Sequence, residues 1–318
     1  MNVFVTRQLP GGALDRLRAR HSVSVWPGPL PPPQADLRRA AADGNGLLTL
    51  LTDEIGADLI AASPRLRAIS NFAVGFENID VDAATAHRIP VGHTPGVLTE
   101  ATAQLAITLM LDLMRRVSES DRHVRRGCWR TWEPAGYLGA SLEETTVGLI
   151  GYGRIGQAVG RLAEAIGMRV IHTDPFIGGH SLDSLLREAD VVSLHATMTN
   201  DTRGMINATT LAMMRPGAIL VNVARGGMVD TKALVEALRS GHLGGAGLDV
   251  TDPEPLPADH ELLAMDNVVV TPHTASATVK ARTAMADLAV DNLLAALDGQ
   301  PMAHCANPEV YAQGGGAR

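Results

Sequence analysis

Two cysteines, Cys128 and Cys305, stand far apart in a chain of 318 residues, so no disulfide framework is available to staple the fold. Lysine is as scarce: Lys232 and Lys280 are the only two, and arginine carries almost all the positive charge, a compositional bias without a functional reading. The net charge of −7 offers nothing to nucleic acid or to an anionic membrane. No apolar run is long enough to cross a bilayer; residues 106–114 come nearest, and Asp112 interrupts them. Met1-Asn2-Val3-Phe4-Val5-Thr6 is followed at once by polar residues and glycine, without the charged-then-apolar order of an export signal. A reducing cytoplasm is the expected compartment. No metal is expected.

What remains is an ordinary globular composition, 46% apolar, in a chain long enough that two domains are the default. In the first hundred residues short apolar runs (3–5, 23–25, 47–51, 68–70, 90–92) alternate with helical patterns (13–20, 34–42, 57–63), which predicts a small parallel-sheet domain. The proline cluster from Pro27 to Pro33 reads as a surface loop. One long helix is expected over residues 100–126, its arginine-rich end a solvated face balanced by Glu119 and Asp121. A second α/β series runs over residues 146–271, and a final helix over 279–297 is expected to fold back onto the first domain. Two chain crossings would then make a hinge, with a ligand cleft between the domains. Gly314-Gly315-Gly316 reads as a frayed tail.

Three apolar runs in the second series each end in a polar side chain. Ala218-Ile219-Leu220-Val221 leads to Asn222-Val223-Ala224-Arg225-Gly226, Ala246-Gly247-Leu248 to Asp249 and then Glu254, and Val268-Val269-Val270 to Thr271-Pro272-His273. Ligands of open α/β sheets bind outside the carboxyl ends of the strands, so an arginine, a carboxylate and a histidine are expected on one edge. Upstream, the buried run Thr146-Val147-Gly148-Leu149-Ile150 passes directly into Gly151-Tyr152-Gly153-Arg154-Ile155-Gly156, a helix, and a second strand ending in Asp174. A GxGxxG alone is weak; between strand and helix, with an acid at the next strand's end, it is a dinucleotide signature. The first glycine permits the tight turn, the second lets a pyrophosphate approach, the third lets helix and strand pack, and the helix amides take the phosphate charge. Asp174 would accept the ribose hydroxyls and repel a 2′-phosphate, which predicts NAD over NADP.

These motifs, in this order and nearly over the full length, resemble the D-isomer-specific 2-hydroxyacid dehydrogenases. Ser70-Asn71-Phe72-Ala73-Val74-Gly75 and Gly127-Cys128-Trp129-Arg130-Thr131-Trp132-Glu133-Pro134 are most similar to the glyoxylate and hydroxypyruvate reductase branch. The resemblance implies an α/β fold of two Rossmann-like or flavodoxin-like parallel-sheet domains with a cleft between them. A substrate domain would comprise residues 1–99 plus 283–318 and an NAD-binding domain residues 100–282. It implies hydride transfer between NADH and a small 2-oxo acid, with His273 as general acid, Glu254 favouring its imidazolium form and fixing its tautomer, and Arg225 holding the carboxylate and polarising the keto oxygen. Backbone amides at Val74 and Gly75 would complete the carboxylate site, with Thr52 nearby. Asp249 would face the nicotinamide carboxamide, and His195 and Ala224 would line the cofactor site. Trp132 would reach a neighbouring subunit's substrate or anchor its own chain; either way a two-fold homodimer is expected.

The chain departs from the resemblance in places. Only Ile177-Gly178-Gly179-His180 separates Asp174-Pro175-Phe176 from the next helical pattern at residues 181–188, where relatives carry a longer insert, so fewer adenosine-side contacts are expected. His195-Ala196 lacks the proline that often follows this histidine, and Thr274-Ala275-Ser276 is a mild variant. The chain stops soon after Asn307-Pro308-Glu309-Val310, so no appended regulatory domain is expected. Two alternatives stay open: a dehydrogenase of another small anion, of the phosphite or formate type (the latter disfavoured by Glu254), and a dinucleotide-sensing, corepressor-like binding protein on the same scaffold.

Overall fold

A computed structural model describes residues 1–312; the Gly314-Gly315-Gly316 tail lies outside the described residues. The chain divides into two compact units, one of residues Met1–Leu98 with the segment from Ala277 onward, the other Thr99–Ser276. The resemblance places these divisions at 99/100 and 282/283.

In the first unit, β1 (Asn2–Val5), α1 (Ala13–Arg18), β2 (Ser22–Val25), α2 (Gln34–Asp43), β3 (Gly46–Thr49), α3 (Ala57–Ala61), β4 (Ala68–Asn71), α4 (Val81–Ala86) and β5 (Val91–Gly92) alternate. The five strands pair in parallel in the order β2-β1-β3-β4-β5. β3 and β4 are buried at every position, so neither shows the apolar–polar alternation of a strand with one solvated face. One face packs Leu37, Leu47, Leu59, Ile60 and Ile69.

The second unit contains α5 (Thr99–Met114), α6 (Val117–Arg125), β6 (Thr146–Ile150), α7 (Arg154–Ala165), β7 (Arg169–Asp174), β8 (Gly178–Gly179), α8 (Leu182–Glu188), β9 (Val191–Leu194), α9 (Ala208–Met213), β10 (Ala218–Asn222), α10 (Thr231–Arg239), β11 (Leu243–Leu248) and β12 (Val268–Val270). Its sheet runs β12-β11-β10-β9-β6-β7-β8, parallel except for β8. α5 and α7 cover one face through Ala106, Leu109, Met110, Val159 and Ala163; Leu185, Leu211, Leu234 and Leu238 of α8 to α10 cover the other. The strand order reverses where β6 lies between β9 and β7, the switch point at which open sheets bind ligands.

α11 (Val279–Leu297) and α12 (Glu309–Ala312) then belong to the first unit. As expected, α11 folds back there: Ala286, Ala289, Val290 and Leu293 pack on Val3, Val5, Leu48 and Ala68, and Ser70 Oγ donates to the Ala289 carbonyl at 2.7 Å.

Two expectations are corrected. The helix foreseen over residues 100–126 is two helices, broken at Arg116, which takes left-handed backbone angles (φ 52). The Ser118 amide donates to Asp112 Oδ1 (2.6 Å) and not to a carbonyl one turn back, while the Met114 carbonyl accepts from the Ala140 amide (3.2 Å). The segment after Asp174, foreseen as a bare connection, turns back as β8, with Asp174 paired to Gly178 and Thr173 to Gly179. The arginine-rich segment from the break through α6 is a solvated face as foreseen, with Arg116 paired to Glu119 (2.6 Å) and Arg125 to Asp121 (2.6 Å). No helix among the described residues is long and apolar enough to cross a membrane.

Candidate active site

The polar residues foreseen at the strand ends of the second unit lie where the three apolar runs stop. After β10, the Asn222 side chain braces the turn: its Oδ1 accepts from the Ala224 amide (3.0 Å) and its Nδ2 donates to the Arg225 carbonyl (2.8 Å). Arg225, half-buried, leaves this turn and donates to the Ala224 carbonyl (2.8 Å). After β12, His273 Nδ1 meets Glu254 Oε1 at 2.6 Å. Burial raises the Glu254 carboxyl, but the hydrogen bond and charge of His273, the Thr251 amide and the nearby Arg225 charge together hold it below the ordinary carboxylate range. An ionised Glu254 can only accept, so Nδ1 carries the hydrogen and Nε2 is the nitrogen left for chemistry.

His273 has left-handed backbone angles (φ 53), a conformation rare for a residue with a Cβ and one that surrounding structure must enforce. The enforcing group is Asp249, only 2% exposed. Its Oδ1 accepts from the Thr271 hydroxyl (2.6 Å) and the Thr274 amide (2.7 Å), its Oδ2 from the Ala275 amide (2.8 Å), and its carbonyl from the His273 amide (2.9 Å). The resemblance implies a cofactor contact for Asp249; its role as the anchor of the histidine loop was not foreseen. The only available signal was an acid directly after an apolar strand and two threonines around the histidine.

At the switch point, Gly151 follows β6 with φ +89, and a Cβ there would come within 2.5 Å of the Ala196 amide nitrogen. A Cβ on Gly156 would meet the Gly151 carbonyl at 2.2 Å, whereas one on Gly153 would meet nothing within 4 Å. The outer glycines are thus required by the protein itself, and the middle one leaves open space at the start of α7, where Arg154 and Ile155 form the first turn. Asp174 closes β7. Amides of Tyr152 (2.8 Å), Phe176 (2.9 Å) and Ile177 (3.1 Å) donate to its carboxylate and hold its pKa below the ordinary value. His195 follows β9, its amide bonded to the Ile150 carbonyl (2.7 Å); both ring nitrogens are buried without a partner, and burial pushes its pKa down to about 3. Tyr152 stacks on His172 with ring centroids 3.8 Å apart, a contact sequence reasoning missed. These features fit a dinucleotide: open backbone at a helix start, an ionised acid at the next strand end, and an orphaned imidazole beside the turn.

Val74, Gly75 and Thr52 lie in the first unit on turns after β4 and β3. Trp132 is 78% exposed on the segment after α6.

Residues 107–275 match the family description "D-isomer specific 2-hydroxyacid dehydrogenase, NAD binding domain". A glyoxylate reductase of Aeropyrum pernix is 45% identical over 97% of this chain and 96% of its own length. The crystal structure of the TT0316 protein of Thermus thermophilus superposes with a TM-score of 0.92 at 49% identity, covering 96% of this chain and all of the other. An NADPH-dependent glyoxylate/hydroxypyruvate reductase of Sinorhizobium meliloti, solved with NADP and malonate, has a TM-score of 0.83 at 32% identity over 96% of this chain and 97% of its own. The chain belongs to the D-isomer-specific 2-hydroxyacid dehydrogenase family, and it is an oxidoreductase with a nicotinamide-dinucleotide-binding domain.

Proposed function

We propose that this enzyme reduces glyoxylate and similarly small 2-oxo acids, such as hydroxypyruvate, to the corresponding 2-hydroxy acids with NADH. The observation that carries the reading is the 2.6 Å pair of His273 and ionised Glu254 on the loop anchored by Asp249. When bound, the nicotinamide ring supplies the hydride. His273 Nε2 gives its proton to the carbonyl oxygen, and Glu254 stabilises the charged ring before that transfer and keeps Nδ1 occupied. Arg225 binds the substrate carboxylate with its planar fork and polarises the keto oxygen. The unit of residues 1–98 with the segment from Ala277 onward serves as the substrate domain, with the Val74 and Gly75 amides as further carboxylate donors and Thr52 on the neighbouring turn. Asp249 faces the nicotinamide carboxamide as well as anchoring the loop, and Ala224 and His195 line the cofactor.

The ionised Asp174 supports NAD over NADP, because a 2′-phosphate would meet a carboxylate already fixed by three amides. The enzyme works as a cytoplasmic homodimer; exposed Trp129, Trp132 and Leu138 support a protein surface there, with Trp132 toward the neighbour. The test is oxidation of NADH and of NADPH with glyoxylate, hydroxypyruvate, pyruvate and bulkier 2-oxo acids. Turnover is expected to be greatest with the smallest acids and with NADH. Tight NADH binding without any turnover would favour the sensing protein instead, and an NADPH preference would overturn the role of Asp174.

A further inference from the structure

The turn that carries Val74 and Gly75 is held by its carbonyls. The Ala73 carbonyl accepts from the Thr94 amide (2.8 Å), the Val74 carbonyl from His93 Nδ1 (2.9 Å), and the Gly75 carbonyl from Asn71 Nδ2 (2.9 Å). A trans peptide points its N–H opposite to its C=O. Each of these bonds therefore aims the amide of the following residue: Thr94 aims Val74, His93 aims Gly75, and Asn71 aims Phe76. Among the described residues the Val74 and Gly75 amides themselves donate to no protein group. A turn with its carbonyls pinned and its amides unspent is a preformed anion site.

The two side-chain clamps are themselves fixed. The His93 ring meets Phe76 edge to face, centroids 5.3 Å apart. Its backbone is tied at both ends, the amide to the His304 carbonyl (3.2 Å) and the carbonyl to Asn292 Nδ2 (3.0 Å). Asn71 is fully buried at the end of β4; it accepts from Thr49 Oγ1 (3.1 Å) and donates also to Asn78 Oδ1 (3.1 Å). Asn78 in turn donates to the Leu50 and Asp53 carbonyls at 3.0 and 2.8 Å.

We propose that His93, with Asn71 beside it, is a positioning residue for substrate carboxylate binding, acting by fixing the peptide planes that present the Val74–Gly75 amides. The inference rests on the reading of those amides as carboxylate donors. It predicts which kinetic constant each clamp controls. His93→Phe keeps the ring contact with Phe76 and deletes the donor to Val74. Its KM for glyoxylate is expected to rise about tenfold or more, the scale of one misdirected hydrogen bond to a charged group. The inhibition constant for oxalate should rise in parallel, while kcat at saturation and NADH affinity stay near those of the parent. His93→Asn puts an amide donor close to the former Nδ1 position and should restore most of the lost affinity. Asn71→Ser removes the second clamp without touching His93 and should raise the same two constants, so the proposal stays open to test if the phenylalanine variant does not fold. A drop in thermal midpoint with unchanged KM and oxalate inhibition would make His93 and Asn71 merely structural and overturn the proposal. A parent enzyme that neither turns over 2-oxo acids nor binds oxalate would instead remove the underlying carboxylate reading. A parent that binds oxalate no better than H93F removes this inference alone.

Discussion

His273 is the residue on which the proposed chemistry turns, and its replacement should separate binding from catalysis. Glutamine in its place can still hydrogen-bond to Glu254 but has no proton to give. His273→Gln should lose about 10²–10⁴-fold in kcat, the usual worth of a positioned general acid, with NADH affinity little changed; steady-state kinetics beside a fluorescence titration of NADH measure both. An unimpaired kcat would remove His273 from the mechanism. Asp53 poses a different question, because burial raises its pKa, opposed in part by hydrogen bonds from the Thr6 hydroxyl and the Leu50 amide. A raised folded-state pKa means that the folded protein binds the proton more tightly. The stabilisation from this group is complete below the unfolded value of about 3.9 and is lost as pH rises through the folded one. Asp53→Asn keeps an oxygen to accept both hydrogen bonds and cannot ionise. Its amide nitrogen would occupy the place of Oδ1, which is buried without a partner, so its midpoint at low pH can lie below that of the parent. The slope decides: the thermal midpoint of the variant should gain on the parent as pH rises from about 4 toward neutrality. Parallel profiles would show that the Asp53 carboxyl does not titrate in that window.

Elements with a one-dimensional signal were legible, and those defined by contact were not. β3, β6 and β10 read directly as largely apolar runs because both of their faces are covered, and α11 matches its pattern residue for residue. The break between α5 and α6 was hidden, since the pattern continues through it. What ends α5 is the Asp112 side chain reaching Ser118 and the returning chain at Ala140 taking the Met114 carbonyl, neither of which periodicity can register. β8 consists of two glycines and has no apolar signature; only its pairing to Thr173 and Asp174 makes it a strand. The same division holds in the site. Arg225, Glu254 and His273 were singled out because each stands in a segment that leaves a readable strand, whereas Asp249 as loop anchor and His93 as clamp join segments distant in sequence. A buried asparagine closing an apolar run, Asn71, was the one local hint of the network around the Val74 turn, since such a group must find partners.

The assembled protein carries an apolar surface that neither core uses. Between Val117 and Leu138 the exposed large side chains include Val117, Val124, Trp129, Trp132, Tyr137 and Leu138, and α6 has no buried residue at all. In a chain with only three tryptophans, two in one exposed segment make a concentration that solvent does not favour and a partner surface does. A second copy of the chain related by a two-fold axis would supply such a surface at no cost in specificity, because the same patch would serve both sides. Light scattering at micromolar concentration should give twice the chain mass. Trp129→Glu together with Leu138→Glu should shift the protein toward the monomer, because each places a charge where an apolar contact is expected. Trp132→Ala separates two roles. If the indole reaches the neighbour's substrate, the variant stays dimeric and loses kcat/KM for 2-oxo acids; if it only anchors its own segment, dimer stability falls and kcat/KM of the remaining dimer holds. A parent protein that scatters as a monomer at every concentration tested would refute the assembly and with it any role for Trp132 across an interface.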